Sequence, residues 1–246
     1  MTTSVTQVRV SGSPVLTSRR AVWIGCGVRI LFAFLGFSGL VTEIATLVAR
    51  GRFNAGDFFS YFTVEANTLT IVSLLVSGYA VVAGRTSRGL DFFRGAVTLY
   101  MTTTILIFIV LLSGYPSSEL TAVPWDNTVL HYIMPIVVML DWLIDSPRGG
   151  VAFRSALLWL AIPLLYLAYS LIRGPIANWY PYPFIDVLEL GYRRVLLNTA
   201  GLNLAFLALE LLLVAIDRLI RQNPSKTSIW PPRFDPGCCV RSCPMP

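Results

Sequence analysis

Read as an alternation of apolar and polar positions, the chain resolves into six long apolar blocks separated by short polar connections. The blocks run roughly Val22–Val48, Phe58–Ala83, Phe92–Ser113, Thr128–Ile144, Val151–Ile172 and Val195–Ile216. A helix rises about 1.5 Å per residue, so about 20 apolar residues cross the hydrocarbon core of a bilayer. Hydrocarbon offers no partner to a free backbone N–H or C=O, so a spanning segment must be a helix or part of a closed barrel. Runs of this length without strict alternation exclude barrel strands. The predicted fold class is therefore all-α: a polytopic membrane protein with six transmembrane helices in one bundle. Residues 1–20 form a tail, 21–219 the bundle and 220–246 a second tail expected to be disordered from its Pro- and Ser-rich sequence. The fourth block is the shortest and is interrupted by His131, Pro135 and Asp141.

Composition strengthens this picture. Of the 246 residues, 55% are apolar and 13% charged, about half the charged fraction of an ordinary soluble domain. The net charge of +6 is a topology signal and no nucleic-acid partner is expected. Arg9, Arg19, Arg20, Arg85, Arg88, Arg94, Arg148, Arg154 and the arginines after the last block all fall on one side of the predicted bundle. Arg50, Arg52, Arg173, Arg193 and Arg194 fall on the other. The excess of positive charge marks the cytoplasmic face, so both termini are expected in the cytoplasm of a multi-pass plasma-membrane protein. The first block is too long for a cleaved signal segment. Cys238, Cys239 and Cys243 lie in the tail without a nearby histidine, which is poor metal-ligand spacing. No metal and no cofactor are expected.

Ionisable and polar groups at membrane depth are the candidate chemistry. Arg29 and Glu210 fall at similar depths in the first and last blocks and are expected to pair as a structural ion pair. Ser60, Thr63, Asn67 and Thr70 share one face of the second helix, while Glu65 points elsewhere; Glu43 lies at similar depth on the first. The one histidine, His131, sits on the fourth with Asn127 one turn before it. Thr63 and His131 both fall roughly 5–8 Å below the same membrane surface. Imidazole can take the proton of a threonine hydroxyl and make it a nucleophile toward an acyl carbonyl. In that arrangement Asn127 would orient the ring and Asn67 would donate to the oxyanion. The competing reading is that threonine simply bonds backbone and the histidine simply packs. The connection Arg173–Phe184 contains Trp179, Tyr180 and Tyr182 among prolines that forbid a continuous helix. It reads either as an interfacial aromatic anchor or as a rigid lid over a pocket.

Three segments, Tyr61-Phe62-Thr63-Val64-Glu65-Ala66-Asn67, His131-Tyr132-Ile133-Met134-Pro135 with Asp141-Trp142, and Trp179-Tyr180-Pro181-Tyr182-Pro183-Phe184, resemble those of bacterial Pr6Pr membrane proteins. These are six-span, mainly actinobacterial proteins. They in turn resemble, more distantly, the eukaryotic androgen-induced and androgen-dependent membrane hydrolases, which cleave esters between a fatty acid and a hydroxy fatty acid. The resemblance implies Thr63 as nucleophile, His131 as base and a membrane lipid ester as substrate. Glu65, Asn67 and the Trp-Tyr-Pro-Tyr-Pro-Phe segment belong to the bacterial version of the pattern. The rival readings are a small-solute or proton-coupled transporter, with Glu43, Glu65 and His131 as relay, and a non-catalytic scaffold or sensor.

Overall fold

A computed structural model of the chain describes residues 14–85, 87–115, 121–145 and 151–222. The Cys238, Cys239 and Cys243 cluster and most of the tail predicted over 220–246 lie outside them. Every regular element among the described residues is a helix, and six are long and apolar enough to cross a membrane. We number these helices α1 (Pro14–Ala49), α2 (Phe62–Val82), α3 (Arg88–Leu112), α4 (Pro124–Ile144), α5 (Phe153–Ala177) and α6 (Val187–Gln222).

Several boundaries differ from the apolar blocks for local reasons. The first helix begins at Pro14, within the tail predicted for residues 1–20. Helix α3 starts at Arg88, where the Ser87 side chain accepts the Leu90 N–H as an N-cap. Helix α4 starts at Pro124, a residue suited to the first turn because it lacks the N–H that would be unpaired there. Helix α6 includes Arg193 and Arg194 and begins eight residues before the predicted block, kinking at Gly191. Gly191 has φ 72°, a conformation that costs glycine little and other residues much. Helix α5 runs through Pro175 and ends at Asn178, whose left-handed φ of 51° terminates it. The prolines of the connection therefore act only from Pro181 onward; Pro175 sits in the last turn, where the helix has little left to lose.

The helices do not all touch. Helix α1 packs mainly on α2 and α4; α3 packs on α2 and α4; α6 packs on α3 and α5. Buried residues concentrate on the facing surfaces of α2, α3 and α4, including Leu99, Met101, Met134 and Trp142. Large apolar side chains such as Trp23, Leu31, Phe34, Leu165, Ile172, Leu197 and Leu204 point outward, the inversion of a soluble protein's surface and a fit to a lipid environment.

At the end of the bundle holding the α2–α3 connection, two arginines and two aspartates form a buried network. Arg29 Nε lies 2.7 Å from Asp141 Oδ1 and Arg29 Nη2 lies 2.7 Å from Asp145 Oδ2. Arg94 Nη2 reaches Asp141 Oδ2 at 2.9 Å and donates to the Asp145 carbonyl through Nη1 at 2.9 Å. Among the described residues the expected Arg29–Glu210 ion pair does not form. Helix α1 packs mainly on α2 and α4 rather than on α6, and Asp141 and Asp145, one turn apart, present two carboxylates to α1 and α3 together. Glu210, fully buried, lies instead near Tyr100 of α3.

Candidate functional site

The opposite end of the bundle, carrying the connections after α1, α3 and α5, holds two adjoining cavities. One is a polar vestibule of about 420 Å³ whose walls include Glu43, Arg50, Arg52, Asp57, Tyr61 and Trp179. The other is an apolar slot of about 70 Å³ between α3, α5 and α6, bounded by residues such as Phe62, Ile107, Tyr166, Leu202 and Phe206. Four residues line both: Thr63, Leu112, His131 and Tyr182. The paired sequence candidates thus share one junction between a wet and a greasy compartment.

Thr63 differs from the other membrane threonines. Thr68, Thr70, Thr98, Thr103 and Thr104 each donate their hydroxyl to the carbonyl four residues back, the self-bonding expected of threonine in apolar helices. Thr63 stands in the first turn of α2, where no helical carbonyl lies four residues behind it. Its hydroxyl lies instead 3.3 Å from the Tyr182 hydroxyl, and its backbone N–H donates to the same Tyr182 oxygen at 3.2 Å. That N–H is one of the four that a helix start leaves without an intrahelical partner.

His131 is buried in a turn of π-helix, Val129–Ile133, inserted within α4. Its ring lies against Phe108, centroids 4.3 Å apart, and Phe108 opens a second π-helical turn, Phe108–Leu112, in α3. Widened turns of this kind recur at functional sites because they release a side chain from regular helical register. His131 Nδ1 lies 3.2 Å from the Asn127 carbonyl oxygen. That carbonyl can only accept, so Nδ1 carries the hydrogen and Nε2 keeps its lone pair. The ring is oriented by Asn127, through its backbone carbonyl. Among the described residues no hydrogen bond joins Thr63 to His131; what they share is the cavity wall.

Asn67 does not serve as predicted. Its amide donates both hydrogens, to the Thr63 carbonyl at 2.9 Å and to the Leu130 carbonyl at 3.2 Å, and the side chain is fully buried. It ties α2 to the π-helical turn of α4 and has no hydrogen left for an oxyanion. Glu65 is half-buried and lines neither cavity.

The aromatic segment folds inward as a roof. Trp179 packs edge-on to Tyr61 at 5.6 Å, with the Arg173 guanidinium 5.2 Å from its ring centre, and Arg173 Nη2 pairs with Asp57 Oδ1 at 2.6 Å. Tyr180 lines neither cavity and seats its ring on Gly174, where any Cβ would overlap it. Tyr182 stacks on Phe184 with centroids 5.1 Å apart and meets Tyr61 edge-on at 5.7 Å. Burial pushes the Tyr182 hydroxyl up to about 12, against the opposing pull of its hydrogen bonds with Thr63. Below the roof, Tyr166 donates to the Ser60 carbonyl at 2.9 Å and the Tyr169 hydroxyl meets Ser60 Oγ at 2.8 Å.

The sequence reading missed Asp126. Fully buried at the start of α4, it neighbours Glu43, which accepts the Ala122 N–H on both oxygens at 2.9 and 2.7 Å. Glu43 lines the vestibule, so the two residues set a pair of carboxyl groups beside it. The Asp-Asn pair just ahead of His131 was the available signal. Among the described residues no cluster of three or more metal-ligating side chains occurs.

Comparison with known proteins gives no relative: no family model, no curated protein and no solved structure matches this chain.

Proposed function

We propose that this multi-pass protein is a plasma-membrane acyl hydrolase acting on an ester of an amphiphilic lipid, with Thr63 as nucleophile and His131 as general base. The observation that carries the reading is the position of both side chains where a polar vestibule meets an apolar slot. An amphiphile bound there would place its polar part in the vestibule, the start of its acyl chain in the slot and its ester at the boundary. His131 Nε2 takes the Thr63 proton while Oγ1 bonds to the acyl carbon. As the intermediate collapses, the imidazolium returns that proton to the leaving alcohol. A water, deprotonated by the same nitrogen, then releases the acid and regenerates Thr63. Membrane lipid is thus the partner and source of substrate. The resemblance of the Thr63, His131 and Trp179–Phe184 segments to Pr6Pr proteins supports the same reading.

A panel of lipid esters offered to the purified chain, with a fluorophosphonate probe alongside, tests it. Wild type turns over an ester and is labelled; Thr63→Ala loses both, and His131→Ala lowers turnover by about 10²–10⁴-fold. Labelling that persists in Thr63→Ala, or turnover indifferent to both substitutions, overturns it.

One observation favours a second reading, a proton-coupled transporter. Two neighbouring carboxyl groups, Glu43 and Asp126, sit beside the vestibule, and Glu210 is buried at mid-span with neither carboxyl oxygen hydrogen-bonded among the described residues. Loss of function in Glu43→Gln and Glu210→Gln, with Thr63→Ala active, would favour transport.

A further inference from the structure

With the Asn67 amide committed to two carbonyls, the acyl-transfer reading lacks a donor for the charge that develops on the substrate carbonyl oxygen. Such a donor must sit about one hydrogen bond from where that oxygen lies once the carbon has bonded to Thr63 Oγ1. We propose that the Tyr182 hydroxyl is that donor, the oxyanion-stabilising group of the site. The inference rests on the proposed Thr63 nucleophile and supplies the residue that reading leaves unnamed.

Three observations converge. The first is position: the Tyr182 oxygen lies 3.3 Å from Thr63 Oγ1, and the residue lines both the vestibule and the slot, so it borders the space that the acyl carbonyl must enter. The second is the state of the hydroxyl. It accepts the Thr63 N–H at 3.2 Å, which occupies a lone pair and leaves its own hydrogen to give. Among the described residues Thr63 Oγ1 is its only side-chain acceptor within hydrogen-bond distance. Accepting from the first turn of a helix also polarises the phenol and strengthens it as a donor. The third is rigidity: the ring is held between Phe184, with 9° between planes, and the edge of Tyr61. A donor fixed before reaction stabilises developing charge without reorganisation.

The step then balances. Thr63 Oγ1 bonds to the acyl carbon, its proton passes to His131 Nε2, and the carbonyl π pair moves onto oxygen. The Tyr182 hydrogen swings from Oγ1, now bonded to carbon, to that oxyanion, as a hydrogen bond without proton transfer. When the leaving C–O bond breaks, the pair returns to the carbonyl, and Tyr182 again faces Oγ1.

The test uses the full chain in nanodiscs with an ester that wild type hydrolyses. Tyr182→Phe keeps the stacked ring and removes only the hydroxyl. It should lower kcat by about 10²–10³-fold, the usual cost of one oxyanion donor, with KM within about twofold. An alkyl boronic acid, which forms a tetrahedral anion on a hydroxyl nucleophile, should lose affinity in parallel with kcat; a role in holding the roof alone would not produce that parallel. Should Tyr182→Phe fold poorly, tyrosine fluorinated at position 182 keeps the hydroxyl and makes it a stronger acid. Boronate affinity that rises with that acidity supports the assignment, and affinity that ignores it overturns it. Unchanged kcat in a folded Tyr182→Phe, beside Thr63→Ala that is dead, overturns the donor role alone. Wild-type turnover that does not depend on Thr63 overturns the nucleophile and Tyr182's role with it.

Discussion

A single hydroxyl contact separates Thr63 from its neighbours: where Thr68 and Thr70 are satisfied by their own helix, the Thr63 hydroxyl meets Tyr182. The proposed chemistry needs His131 neutral with its hydrogen on Nδ1. Replacing it with glutamine keeps polar contacts and removes the base, so turnover should fall as in His131→Ala while the thermal transition stays close to wild type. Tyr182 adds a pH expectation. Its hydroxyl, raised to about 12 by burial, stays protonated throughout the range in which the protein can be assayed. If Tyr182 ionised lower, its donor hydrogen would be lost as pH rose and rate would fall with it. Instead the profile of kcat should show a rise through the titration of the base and then a plateau to at least about pH 10, within the range where an ordinary tyrosine titrates. A falling limb that appears below pH 9 and vanishes in Tyr182→Phe would contradict this assignment of the hydroxyl's state.

Among the elements, what local sequence could reveal and what it could not divide cleanly. Each helix was legible because a spanning segment must be apolar along its whole length, so length and composition alone marked α1 to α6. Partners between helices were not, because no local pattern encodes which faces meet. Arg29 and Glu210 matched in depth, yet α1 packs mainly on α2 and α4, and Arg29 turned to Asp141 and Asp145. Those two aspartates, one turn apart on α4 facing an arginine-bearing helix, were the missed signal. Likewise Thr63 and His131 could be placed at one level, but the Asn67 tether and the π-helical turns that set their exposure are tertiary facts. The network gives a prediction with a sharp contrast. Asp141→Asn leaves two buried guanidiniums short of charge and should destabilise the bundle by about 3–5 kcal/mol, read as a lowered midpoint of unfolding in mixed micelles. Glu210→Gln should change that midpoint little, since Glu210 makes no ion pair among the described residues. Equal losses in the two variants would restore the Arg29–Glu210 pairing. In the roof, Gly174→Ala must push Tyr180 off α5. Because Tyr182 follows two residues later, that shift should reduce turnover although position 174 lines neither cavity, and the reduction should be reversed in part by Tyr180→Ala, which removes the clashing ring.

For the whole molecule, the acyl-hydrolase reading makes the sidedness of the site decide which leaflet would supply a lipid ester. Positive residues crowd the end remote from the cavities, but part of that charge is already neutralised: Arg29 and Arg94 share Asp141 and Asp145, and at the site end Arg173 is paired with Asp57. Setting these aside leaves, among the described residues, Arg20, Arg85, Arg88, Arg154 and Arg218 at the remote end against Arg50, Arg52, Arg193 and Arg194 at the site end. If the end richer in arginine faces the cytoplasm, the vestibule opens to the exterior. Single cysteines in a chain with its native cysteines replaced by serine test this directly. Asn54→Cys, exposed beside the vestibule, should react with a membrane-impermeant maleimide on intact cells. Gly84→Cys, exposed at the α2–α3 connection, should react only after permeabilisation. The reverse pattern would turn the vestibule toward the cytoplasm, and a lipid ester would then have to reach Thr63 from the inner leaflet.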